Sequence, residues 1–200
     1  LLNMKLKGLA IYRTVFFMPT MISIAAASIV WMWLYHPNEG LCNAIFVFLK
    51  QNPKKWLTDP NTALYAIILM TLWKTTGYYM IIFLSGLQGV PEELYEAAKI
   101  DGAGPIKVFL NVTWPLISPT TFFILVVSSI DAFKLFNPVY IMTIGGPLQS
   151  TRVIIFYLYQ QAFEFFRMGY ASALAMVVFA ILIIFTILQF SVGGKRTHYQ

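Results

Sequence analysis

The chain has 200 residues, 58% of them hydrophobic and only 11% charged, with a formal net charge of +6. So much apolar surface exceeds what one small water-soluble core can hide, and a bilayer is the natural solvent. A single cysteine, Cys42, excludes a disulfide framework or thiolate metal site, the distant His36 and His198 lack metal-ligand spacing, and the scattered Lys and Arg form no aromatic-interleaved stripe for nucleic acid.

The chain opens Leu1-Leu2-Asn3-Met4, without the charged, apolar and small-residue succession of a signal peptide, and reads as a fragment of a longer protein. Four apolar blocks then reach the roughly 20 residues that a helix needs to cross a bilayer. They cover 14–35, 63–87, 119–144 and 171–192. The expected fold class is therefore an all-α membrane protein, a bundle of four transmembrane helices in a single domain over 1–200. The last block carries no charge, whereas the second contains Lys74 and the third Asp131 and Lys134. Membrane-spanning segments rarely hold such groups without a structural or functional reason.

The connections differ in character. Between the first two blocks, 36–62 carries Pro37-Asn38-Glu39-Gly40 and Asn52-Pro53-Lys54-Lys55 around a short apolar segment, which reads as an aqueous loop with an interfacial helix against membrane lipid. Between the last two, Gly145-Gly146-Pro147 is followed by a mixed-polarity run, 152–164, expected as a surface helix. If 88–118 faces the cytoplasm, that side holds Lys5, Lys7, Arg13, Lys99, Lys107, Lys195 and Arg196, against Lys50, Lys54, Lys55, Arg152 and Arg167 opposite. That bias is too small to set the topology. Neither an internal repeat nor a low-complexity segment is evident.

The loop at 88–118 is the most informative stretch. Pro91 suits the first position of a helix, and Glu92, Glu93 and Glu96 place negative charge near the positive end of its dipole. Leu94, Ala97 and Ala98 share a face, and Asp101-Gly102 with Gly104-Pro105 stop the helix, because glycine tolerates a left-handed turn. A second helix starts at Pro105, with Ile106, Phe109, Leu110 and Thr113 on one face, until Pro115 and Pro119 return the chain to the membrane. Residue chemistry alone leaves two readings, an ordered connecting loop or a docking surface.

Glu96-Ala97-Ala98, Asp101-Gly102-Ala103, Phe109 and Val112-Thr113-Trp114-Pro115 resemble the EAA loop of inner-membrane permease subunits of ABC importers. Gly145-Gly146-Pro147, Ser150-Thr151, the run 157–163 and Gly169-Tyr170-Ala171-Ser172-Ala173 are similar to the carbohydrate-importer branch, most of all the first permease of maltose and glycerol-3-phosphate type systems. Two departures stand out: Trp114 occupies a position that is usually leucine, and the match covers the portion of such subunits after their second span.

The resemblance implies a type I importer fold in the bacterial cytoplasmic membrane, with Glu96, Ala97, Ala98, Asp101, Gly102, Ala103 and Pro115 as the elements that dock on the ATPase. It implies a second homologous permease subunit as heterodimer partner, a nucleotide-binding ATPase dimer and an extracytoplasmic solute-binding protein. ATP and Mg would be bound by the ATPase and no cofactor by this chain. Its own residues agree: the Gly194-Lys195 pair is followed by Arg196 and lacks the earlier glycine of a phosphate-cradling loop, and no nucleophile has a base, so no catalytic or metal residues are assigned.

Intramembrane polar groups supply the substrate-pathway candidates, Lys74, Tyr78, Ser129, Asp131, Lys134 and Asn137. Equally open is a structural reading in which Asp131 pairs with Lys134 or with Lys74. Pro138 is expected to bend the third span just beyond them. The expected function is uptake of a sugar or related polyol or glycerol-phosphate compound. Alternatives are an ABC importer for another small solute, or an ion-coupled carrier that uses Asp131 as its cation site.

Overall fold

The computed structural model describes residues 8–193. Lys5, Lys7, Lys195, Arg196, His198 and the Gly194-Lys195 pair lie outside the described residues. Within those residues the regular secondary structure is all helix, without a strand.

The first apolar block folds as two helices, α1 (Leu9–Met21) and α2 (Ile24–Leu34), bent by 102° relative to each other. The expected single straight span is therefore a broken one. Pro19 lacks the N–H that would continue the helical ladder, and Ile22 is extended. Ser23 then starts the new helix by accepting a hydrogen bond from the Ala26 N–H at 3.2 Å. Both signals stand in the sequence, but uninterrupted hydrophobicity masks them.

After α3 (Leu41–Phe48), the long helix α4 (Ala63–Gln88) forms the axis against which α1 packs. At Gly77 a Cβ atom would collide with the Phe16 carbonyl, so glycine permits the close approach of the two backbones. Lower along the pair, Lys74 reaches the end of α1, and beyond the bend the Tyr35 hydroxyl donates to the Ala66 carbonyl at 3.0 Å. α1 thus runs antiparallel to α4.

α5 (Glu92–Ile100) and α6 (Pro105–Val108) follow at the far end of α4. Pro91 is the capping residue of α5, so Glu92 occupies the first helical position instead. α6 does not end at Pro115. It continues through a π-helical turn, Phe109–Thr113, into α7 (Trp114–Phe133). In that wider turn the Trp114 N–H bonds the Phe109 carbonyl, which makes room for the Pro115 ring in a continuous helix. Pro119 withholds an N–H from the Pro115 carbonyl, and the Ser118 hydroxyl replaces it at 2.7 Å. The third span begins earlier than Pro119 for this reason.

At Lys134–Phe136 the chain breaks and resumes as α8 (Asn137–Met142), with Pro138 in the first turn. α9 (Ile154–Tyr159) and a second π-helical turn, Gln160–Glu164, lead to α10 (Met168–Gly193). α10 antiparallels α7, with Phe122 edge-on to Phe190 and Phe133 edge-on to Phe185.

The buried cluster lies at one end of the bundle: Ala27, Tyr35, Ala66, Ile67, Met70, Val139, Met142 and Phe156, with Trp31 and Trp56 packed on it. Asn43 organises the adjoining loop. Its amide nitrogen donates to the Pro37 and Lys54 carbonyls, both at 2.9 Å, and its oxygen accepts from the Lys54 N–H at 3.0 Å and Trp56 Nε1 at 2.9 Å. Loop 89–113 stands at the opposite end, and the long apolar flanks of α4, α7 and α10 are largely left uncovered by this chain.

Candidate functional site

Two features invite chemistry: the projecting segment α5–α6 and a cavity between α4 and α7 that sets a few polar groups in a mostly apolar wall. In α5, Glu92 and Glu93 occupy the first turn and Lys99 the last, so both ends suit the helix dipole. The stop is a left-handed glycine: Gly102 has φ +71°, with Asp101 N–H bonded to the Ala97 carbonyl and Ala103 N–H to the Ala98 carbonyl. No residue of α5 is fully buried. Glu96, Ala97, Asp101 and Gly102 are exposed, and Ala98, Ala103 and Pro115 are half-buried. Around them Ile100 is 86% and Ile106 75% exposed, the first at the end of α5 and the second at the start of the helix that continues into α7. One side-chain hydrogen bond ties α5 to the bundle, from Thr113 Oγ1 to the Tyr95 hydroxyl oxygen at 3.3 Å.

A cavity of about 370 Å³ lies between the first part of α4 and the C-terminal end of α7. Leu64, Ile68, Thr71, Leu72, Thr75 and Tyr79 line it from α4, and Ser128, Asp131, Ala132 and Leu135 from the α7 side. Its hydroxyl protons are already committed. Thr71 and Thr75 donate back to the Ile67 and Thr71 carbonyls at 2.8 and 2.9 Å, Ser128 donates to the Leu125 carbonyl at 3.2 Å, and Tyr79 donates to the Asp131 carboxylate at 3.2 Å. The few polar groups of this mostly apolar wall therefore present oxygen lone pairs and one carboxylate.

The pathway candidates are dispersed rather than gathered. Asp131 is in the cavity wall; Tyr78 is 48% exposed and edge-on to Tyr79 beside it. Ser129 turns toward α10, accepting from Gln189 Nε2 at 3.0 Å while donating to the Leu125 carbonyl at 2.6 Å. Lys134 caps the C-terminus of α7, where its charge meets the negative end of the helix dipole, and Asn137 opens α8. Lys74 does not pair with Asp131. Its ammonium donates to the carbonyls of Ile22 at 2.6 Å, Pro19 at 3.3 Å and Thr20 at 3.4 Å, the unsatisfied end of α1.

Sequence reading missed Thr71 and Leu64 as cavity residues. The signal existed as the spacing 64, 68, 71, 75 on one face of α4, but it was indistinguishable from packing until α7 was laid beside it.

Among curated relatives, the chain is 40% identical over 204 residues to the probable ABC transporter permease protein YesP of Bacillus subtilis, covering 100% of this chain and 65% of the relative. It is 35% identical to the sn-glycerol-3-phosphate transport system permease protein UgpA of Yersinia enterocolitica, covering 98% of this chain and 66% of the relative. It is 34% identical to the trehalose/maltose transport system permease protein MalF of Thermococcus litoralis, covering 98% and 66%. The chain thus spans just under two thirds of the length of these relatives. The fold is shared with a chain of a bacterial ABC transporter involved in the import of the acidic polysaccharide alginate, at TM-score 0.89 and 21% identity, over 98% of this chain and 70% of that one. The sequence pattern of the family described as binding-protein-dependent transport system inner membrane component matches residues 7–196. With long apolar helices, a broken first span and this match over nearly its whole length, the chain belongs to that inner-membrane component family.

Proposed function

We propose that this chain is the permease portion of an ATP-driven importer for a neutral, hydroxyl-rich solute of the sugar or polyol class, alternating access with a second, homologous permease subunit. A separate ATPase pair docks on α5 and α6, and an external binding protein delivers the solute. The observation that carries the reading is the projecting helix, stopped at Gly102 and flanked by exposed Ile100 and Ile106, an apolar surface that a docked protein would cover. A stiff capped helix passes on a displacement that a flexible loop would absorb. Relatives whose names include ABC permease, glycerol-3-phosphate and trehalose/maltose transport support the class.

Within that class, the cavity favours a neutral polyol over a phosphate ester. A sugar hydroxyl can donate to its free lone pairs, whereas a phosphate would face Asp131 with Lys74 already held by backbone carbonyls.

The test of docking is crosslinking from Ala97→Cys or Ala98→Cys, in a Cys42→Ser background, in membranes holding the full-length subunit and its partner ATPase. Capture of the ATPase is expected. Labelling of these positions from outside intact cells, or no capture at all, would overturn the reading. Substrate class is tested by competition: maltose or trehalose should compete for uptake, and glycerol 3-phosphate should not.

A further inference from the structure

The segment that projects from the bundle is held to it lightly. α5 has no fully buried residue, and α6 none. Yet a displacement of α5 can act on the spans only through whatever joins them. Besides the covalent link to α4 through 89–91, two routes lead to α7: the covalent chain through Gly102 and Gly104, and the side-chain bond from Thr113 Oγ1 to the Tyr95 hydroxyl at 3.3 Å. The covalent route is compliant. Gly102 has φ +71°, and a Cβ at either Gly102 or Gly104 would meet nothing within 4 Å, so the turn is not braced by neighbours.

The side-chain route ends in a well-anchored place. Thr113 is 7% exposed and is the last residue of the π-helical turn that opens directly into α7. From there the helix runs uninterrupted through Ser128 and Asp131 in the wall of the cavity between α4 and α7. Tyr95 itself stands half-buried and also lines a hollow of about 290 Å³ with Leu87, Gln88, Val90 and Glu92, where α4 turns into α5. The ring is thus placed between the end of one span and the start of another.

We propose that Tyr95 and Thr113 are the positioning pair that transmits movement of α5 to α7. This rests on the docking of an ATPase on α5 proposed above. Tyr95 needs no contact with ATPase or solute; its hydroxyl fixes the angle of α5 to the π-turn. Loss of the bond leaves α5 docked and free to rock about the Gly102 turn, so hydrolysis continues while the spans follow less completely.

The experiment uses the full-length subunit, reconstituted in liposomes with its second permease, ATPase and loaded binding protein. Tyr95→Phe keeps the ring and removes the acceptor; Thr113→Val removes the donor; Thr113→Ser keeps it. Loss of one neutral hydrogen bond predicts about a five-fold drop in solute moved per ATP hydrolysed for Tyr95→Phe and for Thr113→Val. Ala98→Cys crosslinking yield should stay unchanged, Thr113→Ser should restore the ratio, and the double variant should be no worse than either single one. An unchanged ratio in Tyr95→Phe with crosslinking intact overturns this inference and leaves the docking reading standing. A parallel fall of hydrolysis and uptake also overturns it, since that is the mark of a merely structural bond. Absence of crosslinking from Ala98→Cys with Tyr95 and Thr113 intact overturns both.

Discussion

The Lys74 ammonium lies 2.6 Å from the Ile22 carbonyl oxygen, fifty-two positions earlier in the chain, and binds the end of α1 where the first span breaks. A helix end inside a bilayer leaves carbonyls that water cannot serve, and a cation at that negative dipole end satisfies them directly. The break and the intramembrane lysine explain each other.

Replacing Lys74 by Met keeps length and removes the donor. Stranding these carbonyls is expected to destabilise the protein by about 2 kcal/mol. Thermal denaturation in detergent should show a lowered Tm, with Lys74→Arg intermediate. A Tm equal to that of the unsubstituted protein would show that the carbonyls find other partners.

Asn43 is 2% exposed and makes four hydrogen bonds with both ends of its amide. Asn43→Ala leaves the Trp56 indole N–H and the Lys54 N–H without their acceptor, at a cost of about 3 kcal/mol. Asn43→Asp restores the acceptors but turns a carboxylate toward the Pro37 and Lys54 carbonyls, so it should not recover the loss. Trp56 fluorescence and protease sensitivity of 50–60 report the outcome.

At Gly102 the obstacle to substitution is conformation, since a Cβ there has open space. Gly102→Ala is expected to cost about 1 kcal/mol for its φ of +71°, with modest loss of transport. Gly102→Pro cannot adopt that φ at all and should redirect α6, uncoupling ATP hydrolysis from uptake. Equal transport by the two variants would refute the conformational explanation.

Burial raises the Cys42 thiol above its ordinary value. A higher pKa means less thiolate at any pH below it, so maleimide labelling of Cys42 at pH 7 should be slower than that of a free cysteine peptide, and should accelerate with rising pH through a later midpoint. Labelling as fast as the peptide would contradict that environment.

How far the sequence reaches can be judged from particular residues. Hydrophobic length alone located α4 and α10, because a span needs only enough apolar residues in a row, and the Glu92–Gly102 helix announced itself through charge at one end and a left-handed glycine at the other. These are local decisions, taken by neighbours in the chain. The break at Ile22–Ser23 had local signals in Pro19 and Ser23, but its depth and angle depend on Lys74 arriving from another helix. The continuity of α6 into α7 defeated a proline rule because a π-turn and the Ser118 hydroxyl compensate for Pro115 and Pro119. Whether an intramembrane lysine, acid or hydroxyl faces a cavity, a partner or a helix end is decided by which helix stands opposite, and periodicity carries no information about that neighbour. The chain by itself therefore determined its solvent, the placement of its long apolar helices and the two ends of α5; tertiary packing alone assigned Lys74 to α1, Asp131 to Tyr79 and Thr113 to Tyr95, because each bond joins residues that only folding brings within reach.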